Sequence, residues 1–332
     1  MAKIKRLFND PYDIVEEMVE GYVGAHKQYV KMCDLDEAQG RVVLANDAGT
    51  KDKVGVIIGG GSGHEPLFIG YVGEDFADAV VIGNINTSPS PDPCYAAAKG
   101  CIYLYGNYAG DVMNFDMGAE KADEEDDIRV ETVLVTDDVV SSENIPDRRG
   151  IAGDFFVFKV AGAKAATGAD LDEVVAAAQK ANDNTRSMGV AMSSATLPAK
   201  GGTIFDMEDG DMEIGMGIHG EPGIRRGKID TADNVIDEIM EPILKDLPYV
   251  EGDEVYVLVN SLGATPLIDL HVCYRRVAQI LEEKGIKVYK ALVGPFACSM
   301  DMAGMSVTLM KLDDELKELM DAPCDTPYFT QK

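Results

Sequence analysis

The chain contains four histidines, and two of them stand where chemistry is expected. His64 lies in Gly59-Gly60-Gly61-Ser62-Gly63-His64-Glu65-Pro66, and His219 lies in Gly217-Ile218-His219-Gly220-Glu221-Pro222-Gly223; each follows an apolar strand pattern. Glycine lets the backbone approach a ligand closely and adopt positive φ, so an imidazole set among glycines reads as a group offered to a small ligand. The competing reading is a tight turn that holds a polar residue. His26, on the apolar stripe of the first helix, and His271, inside a later helical pattern, read as packed or capping structural histidines. Asp111 closes Gly106-Asn107-Tyr108-Ala109-Gly110-Asp111 just past a strand; it is a carboxylate on the ligand side of the sheet, against the commoner Asx-turn or helix cap. A fourth loop, Asn86 to Asp92, offers Ser and Thr hydroxyls where a helix begins.

Several chemistries are excluded by the same residues. Gly61-Ser62-Gly63-His64-Glu65-Pro66 has proline at the third glycine of a dinucleotide fingerprint, which disfavours a nicotinamide enzyme. Gly227-Lys228 is followed by Ile229, so there is no phosphate-binding P-loop. Gly60 to His64 lacks the second glycine of a serine-hydrolase elbow. The six cysteines form no C-x-x-C pair, so no zinc or redox motif, and no metal site, is expected; they read as thiols in a reducing cytoplasm.

The elements that must position these groups alternate. An amphipathic helix opening at Asp10-Pro11 would carry Val15, Met18, Val19, Tyr22, Val23, His26, Tyr29 and Val30 on one face. Val54 to Ile58 reads as a buried strand running into a glycine-rich turn at Gly59 to Gly61. Val80 to Ile82, Ile102 to Tyr105 and Val130 to Val135 read as further strands, with a helix starting over residues 95–99. The acidic run at residues 120–127 reads as a solvated face. Helices are expected over Gly150 to Gly168 and Asp170 to Arg186, the second with Asp170 and Glu173 in a capping box. Strands follow at Met212 to Met216, Glu254 to Val259, Ile286 to Leu292 and Ser306 to Met310. Helices at about Thr231 to Leu247, Pro266 to Lys284 and Asp313 to Asp321 separate them. The pattern predicts two α/β domains with largely parallel or mixed sheets flanked by helices. Residues 1–186 would carry the loops of His64 and Asp111, and residues 187–332 the His219 loop. The partial echo between the two histidine loops places both histidines past the carboxyl ends of strands, where open α/β sheets hold ligands.

The chain has 332 residues, 30 Lys+Arg against 58 Asp+Glu, and a formal charge of −28. At roughly 150 residues per domain the length suggests two domains. A hydrophobic fraction of 46% and a charged fraction of 27% are ordinary globular values. The acidity argues against nucleic-acid or anionic-membrane partners, which need a basic face. No signal-peptide pattern and no apolar run near the ~18 residues of a membrane span is visible, so a cytoplasmic protein is expected.

Gly59 to Pro66, Thr87 to Asp92, Asn107 to Phe115 and Gly217 to Gly223, in this order over nearly the whole chain, together resemble the K subunit of dihydroxyacetone kinases. The resemblance implies two α/β domains that bind a short ketose, dihydroxyacetone or a tetrulose such as erythrulose. It implies that His219 adds through a ring nitrogen to the substrate carbonyl to form a hemiaminal. His64 and Asp111 would hydrogen-bond the hydroxyls, and one of them would help remove the proton from the hydroxyl that is phosphorylated. The backbone of Gly61, Ser62 and Gly63 would line the pocket. ATP or ADP with Mg2+ would sit on a separate helical L subunit, with a phosphotransferase-system donor behind it as an option; the K subunit itself holds no cofactor and is expected as a homodimer. Gly106 departs from the family pattern, which commonly has lysine there. That change would enlarge the pocket, weaken catalysis, or mark a ligand-sensing transcriptional co-regulator without turnover.

Overall fold

The computed structural model describes residues 6–98 and 101–332, so the expectations for residues 1–5 and for Lys99 lie outside the described residues. The chain forms two compact units. Among the described residues one unit takes 6–135, 154–181 and 318–332, and the other takes 136–153 and 182–317. A single cut at 186/187 therefore does not describe the chain, because segments of each unit are threaded through the sequence of the other.

The first unit is built on six strands: β1 (Val30–Met32), β2 (Val42–Ala45), β3 (Gly55–Ser62), β4 (Ala79–Ile85), β5 (Cys101–Gly106) and β6 (Val130–Val135). Their order is β1-β2-β4-β3-β5-β6. β4, β3, β5 and β6 are parallel, while β1 and β2 add an antiparallel edge. Ile57, Ala79, Val81, Tyr103 and Tyr105 share one core with Phe115. Their sequence neighbours Val56, Ile58, Val80, Ile102 and Leu104 are equally buried, so both faces of the sheet are covered, as parallel strands require. The helices of this unit are α1 (Ile14–Ala25), α2 (Pro91–Ala97), α3 (Ala109–Asp126), α4 (Asp154–Ala166) and most of α5 (Leu171–Asp183).

α1 starts after Asp13 and stops at Ala25, so Tyr29 and Val30 leave the expected helical stripe and Val30 enters β1. His26 closes α1: its backbone N–H donates to the Tyr22 carbonyl at 3.0 Å, and its ring lies 4.6 Å from that of Tyr22. The capping box of α5 forms as expected. Asp170 Oδ1 accepts from the Glu173 N–H at 2.9 Å, and Glu173 Oε2 accepts from the Asp170 N–H at 3.1 Å. Lys159 is wholly buried in α4 and donates to the carbonyls of Leu319 and Ala322 at 3.2 and 2.8 Å. Burial lowers its pKa against the pull of nearby Cys324, Asp75 and Asp321. Reciprocal bonds between the Glu74 and Asp325 backbones, both 3.0 Å, also tie the C-terminal segment to this unit.

The second unit has β7 (Thr185–Ala191), the short pair β8 (Thr196–Leu197) and β9 (Gly202–Thr203), β10 (Asp211–Ile214), β11 (Arg225–Lys228), β12 (Glu254–Ser261), β13 (Lys287–Gly294) and β14 (Gly304–Leu312). Its main sheet runs β11-β10-β7-β14-β12-β13, and only β12 and β13 pair in parallel. The sheet is thus mixed, not largely parallel. α6 (Ala232–Asp246) and α7 (Leu267–Glu283) supply Ile236, Ile239, Ile243, Val277 and Leu281 to its core. α8 (Asp314–Asp321) leads back to the first unit. The first two residues of β7, which is buried along its whole length, fall in the helix expected to reach Arg186, and no element is expected over its other five. Its polar residues are all partnered: Ser187 with Thr308 at 2.7 Å, and Arg186 with Asp246. The segment 136–153 docks here because the Ser187 N–H donates to the Asp137 carbonyl at 2.8 Å and Arg148 forks onto Asp246 at 2.8 and 2.6 Å. His271 is exposed on α7 and is neither packed nor a cap.

Candidate functional site

In the first unit the glycines before His64 prove to be strand residues. Gly59, Gly60 and Gly61 lie within β3 without left-handed φ, and the space their missing side chains leave is filled by protein. A Cβ on Gly59 would meet Val81 O at 2.6 Å and Phe115 Cζ at 2.7 Å; one on Gly60 would strike the Phe68 ring at 2.6 Å. On Gly61 it would meet the Thr87 backbone nitrogen at 2.8 Å. The register with β4 slips between Gly60 and Ser62, which bends the strand at the site. Ser62 donates its hydroxyl to the Gly83 carbonyl at 2.8 Å. The turn comes only at Gly63, with φ 105°, and puts His64 in a buried position with its ring edge toward Phe68 at 6.4 Å between centroids. The Gly63 N–H donates to Glu65 Oε2 at 2.9 Å. Burial pushes the Glu65 carboxyl up, against that bond and the charge of Arg6.

Asp111 is buried in the first turn of α3, where a carboxylate also meets the favourable end of the helix dipole. It is a turn-one residue, the cap position being Tyr108. Gly106 is the last residue of β5, buried and paired with Val135 of β6. Because β3 and β5 are adjacent and parallel, His64 and the Gly106-to-Asp111 loop leave the same carboxyl edge of the sheet, where such folds hold ligands. Two hydroxyls of the fourth loop are used by the protein: Ser88 Oγ accepts from Asn114 Nδ2 at 2.8 Å, and Thr87 Oγ1 donates to Ile85 O at 3.3 Å. Pro91 starts α2 there, so the helix expected to start over residues 95–99 begins four residues earlier and ends at Ala97. A cavity of about 370 Å³ in this unit, lined by Leu44, Ile57, Ala79 and Cys101 among others, sits at the amino ends of the strands and includes none of the candidate residues.

In the second unit His219 lies on the loop joining β10 to β11, which are antiparallel. It therefore sits in a hairpin loop, and the element after it is a strand, not the helix the echo suggested. Gly215 and Gly220 turn the loop with φ 79° and 84°. The His219 N–H donates to Glu221 Oε2 at 3.0 Å, and His219 Nδ1 stands 3.2 Å from Glu221 Oε1. Burial opposes ionisation of Glu221, but the hydrogen bond and charge of His219, the local backbone bond and Arg149 together hold its carboxyl down to about 2. Arg149 Nη1 lies 3.9 Å from Glu221 Oε2, and its Nη2 lies 2.7 Å from buried Asp138. In the sequence Glu221 is marked only by its place in Gly217 to Gly223, and nothing local marks Arg149 or Asp138.

The echo between the two loops has a structural basis. In both, a Glu-Pro glutamate folds back to accept from the N–H two residues earlier, Gly63 in one and His219 in the other. Histidine and glycine exchange places around the same bond.

Residues 20–328 match the Dak1 domain. The chain belongs to the Dak1 family. This Dak1 chain is 59% identical, over 98% of its length and 99% of the relative's, to the protein of Listeria innocua named PTS-dependent dihydroxyacetone kinase 2, dihydroxyacetone-binding subunit DhaK. It is 42% identical to the L-erythrulose 1-kinase of Mycolicibacterium smegmatis, over 97% of this chain but only 57% of that protein. Among solved structures, the dihydroxyacetone kinase of C. freundii superposes with a TM-score of 0.88 at 31% identity, over 98% of this chain and 60% of that one. The dihydroxyacetone kinase operon co-activator Dha-DhaQ superposes with a TM-score of 0.87 at 27% identity, over 95% and 98%. The mixed α/β architecture is that of dihydroxyacetone kinases.

Proposed function

We propose that this chain is the ketose-binding subunit of a dihydroxyacetone-type kinase, taking dihydroxyacetone or a tetrulose such as erythrulose. The observation that carries this reading is the end-to-end match, at 59% identity, to a protein named as a dihydroxyacetone-binding subunit. The relatives named as erythrulose kinases are longer, and this chain spans little more than half of one.

The His219 loop suits covalent capture. An ionised Glu221 is an acceptor only, so the 3.2 Å contact assigns the proton to His219 Nδ1 and leaves the lone pair on Nε2. Nε2 bonds to the ketose carbonyl carbon, the C=O π pair moves to oxygen, and oxygen takes up a proton from water. Glu221 offsets the positive charge the ring gains. Glycerol has no carbonyl and is not captured. The family resemblance gives His64 and Asp111 the substrate hydroxyls, with one of them accepting the proton of the hydroxyl that is phosphorylated, and gives the backbone of Gly61 to Gly63 a part in the pocket lining. Positioning does most of the work in phosphoryl transfer, so fixing the ketose covalently is an effective contribution from this subunit. The phosphoryl group would come from a separate L subunit carrying ATP or ADP with Mg2+, with or without a phosphotransferase-system donor; a homodimer of the present chain fits this scheme.

One observation favours a second reading, a ligand-sensing co-regulator: the close superposition on the co-activator. Turnover with a cognate L subunit separates the two. We expect ketose phosphate to form, and intact-mass spectrometry to show a dihydroxyacetone adduct on wild type that is absent from folded His219→Ala. Adduct without turnover supports the co-regulator; an equal adduct on the variant removes His219 from the capture step.

A further inference from the structure

We propose that Arg149 is a positioning residue for His219: anchored on buried Asp138, it holds the Glu221 carboxylate in the orientation that fixes the imidazole. The inference rests on reading His219 as the capturing residue.

Arg149 is built in from one side. Its Nε and Nη2 both address Asp138 Oδ2, at 3.0 and 2.7 Å, and Nη2 also donates to the Gly215 carbonyl at 3.3 Å. Asp138 is 1% exposed and is itself fixed, with its backbone N–H donating to the Arg149 carbonyl at 3.1 Å and the Val140 N–H donating to its Oδ1 at 3.4 Å. A planar guanidinium held side-on to a fixed carboxylate has little freedom, so the place of Nη1 is determined. Nη1 faces Glu221 Oε2, the oxygen that also accepts from the His219 N–H, and this leaves Oε1 for the ring. A carboxylate contacted only by the loop it caps would be free to rotate. The cation beside Oε2 divides the work of the two oxygens.

Gly217 supplies an independent observation. It has no left-handed φ, so the backbone does not demand glycine there. Yet a Cβ at this position would lie 2.2 Å from Glu221 Oε2 and 2.7 Å from Arg149 Nη1. The missing side chain is what leaves room for guanidinium and carboxylate to stand 3.9 Å apart.

The test uses the whole chain with ¹⁵N-labelled histidine and reads the His219 tautomer by NMR, alongside the rate of dihydroxyacetone adduct formation. Wild type should show one tautomer, protonated at Nδ1. Arg149→Gln should show a mixture and capture about tenfold more slowly, the scale of losing a defined approach geometry. Gly217→Ala should do the same with Arg149 present, and Arg149→Lys should restore part of the tautomer bias. Should Arg149→Gln unfold for want of a partner to Asp138, Gly217→Ala decides alone. Wild-type tautomer and capture rate in folded Gly217→Ala would overturn the proposal. If wild type itself forms no adduct, the capture reading falls, and the tautomer measurements still decide the role of Arg149.

Discussion

Gly106 ends β5 with its carbonyl accepting from the Tyr108 N–H at 2.9 Å, and from there the chain turns into the helix that presents Asp111. The resemblance places a lysine at this point, so the present chain lacks both its volume and its charge beside a buried carboxylate. On the proposed function, the space a lysine side chain would fill there is available to an extra hydroxymethyl group. Wild type should therefore prefer erythrulose to dihydroxyacetone in kcat/KM, and Gly106→Lys should shift the ratio back by the equivalent of about 1–3 kcal/mol, the usual range for one added carbon. Both proteins are assayed with the same L subunit. A wild-type preference for dihydroxyacetone, or an unchanged ratio in the variant, removes Gly106 as the selectivity determinant.

α4 shows how one element fixes the first unit. Its residues from Asp154 to Ala163 are all buried, and Gly162 lies so close to the neighbouring loop that a Cβ would fall 2.0 Å from the Phe76 carbonyl oxygen. Glycine inside a helix is ordinarily worth about 1 kcal/mol less than alanine. Here the clash with backbone outweighs that gain, because a carbonyl in a packed loop cannot rotate away as a side-chain tip can. Gly162→Ala should cost about 2–4 kcal/mol. Gly21→Ala on exposed α1, where a Cβ meets nothing within 4 Å, should stabilise by about 0.5–1 kcal/mol. Urea midpoints compare the two, and a Gly162→Ala midpoint at or above wild type contradicts the packing argument.

At the scale of the molecule the two units exchange segments. The first unit needs residues 318–332, whose carbonyls engage Lys159, while the second needs 136–153, whose Asp137 carbonyl accepts from the Ser187 N–H at 2.8 Å and whose Arg148 forks onto Asp246 at 2.8 and 2.6 Å. Separating the chain at 186/187 therefore strips each unit of part of its packing. Expressed alone, fragments 1–186 and 187–332 should each lack a cooperative thermal transition by circular dichroism, and co-expression should restore one. A cooperative melt of either fragment by itself would show that the threaded segments are dispensable.

The sequence by itself determined the strands that are apolar throughout, such as Val56 to Ile58 and Ile102 to Tyr105, and the capped helix from Leu171, because burial on both faces and local capping leave direct marks on residue type. It also determined the family, since four motifs in order are specific where each alone is weak. Tertiary structure decided the rest. β7 carries Thr185, Arg186 and Ser187 into a buried strand because partners 60 and 121 residues away satisfy them, and no local pattern announces such partners. Three glycines that read as a turn are strand residues kept small by Phe68, Phe115 and the Thr87 backbone. The strand before His219 belongs to an antiparallel hairpin, because sheet pairing is a long-range choice. Arg149, 72 residues from the glutamate it faces, approaches that loop only when the chain has folded, since a charge contact depends on distance in space and sequence patterns record only neighbours along the chain.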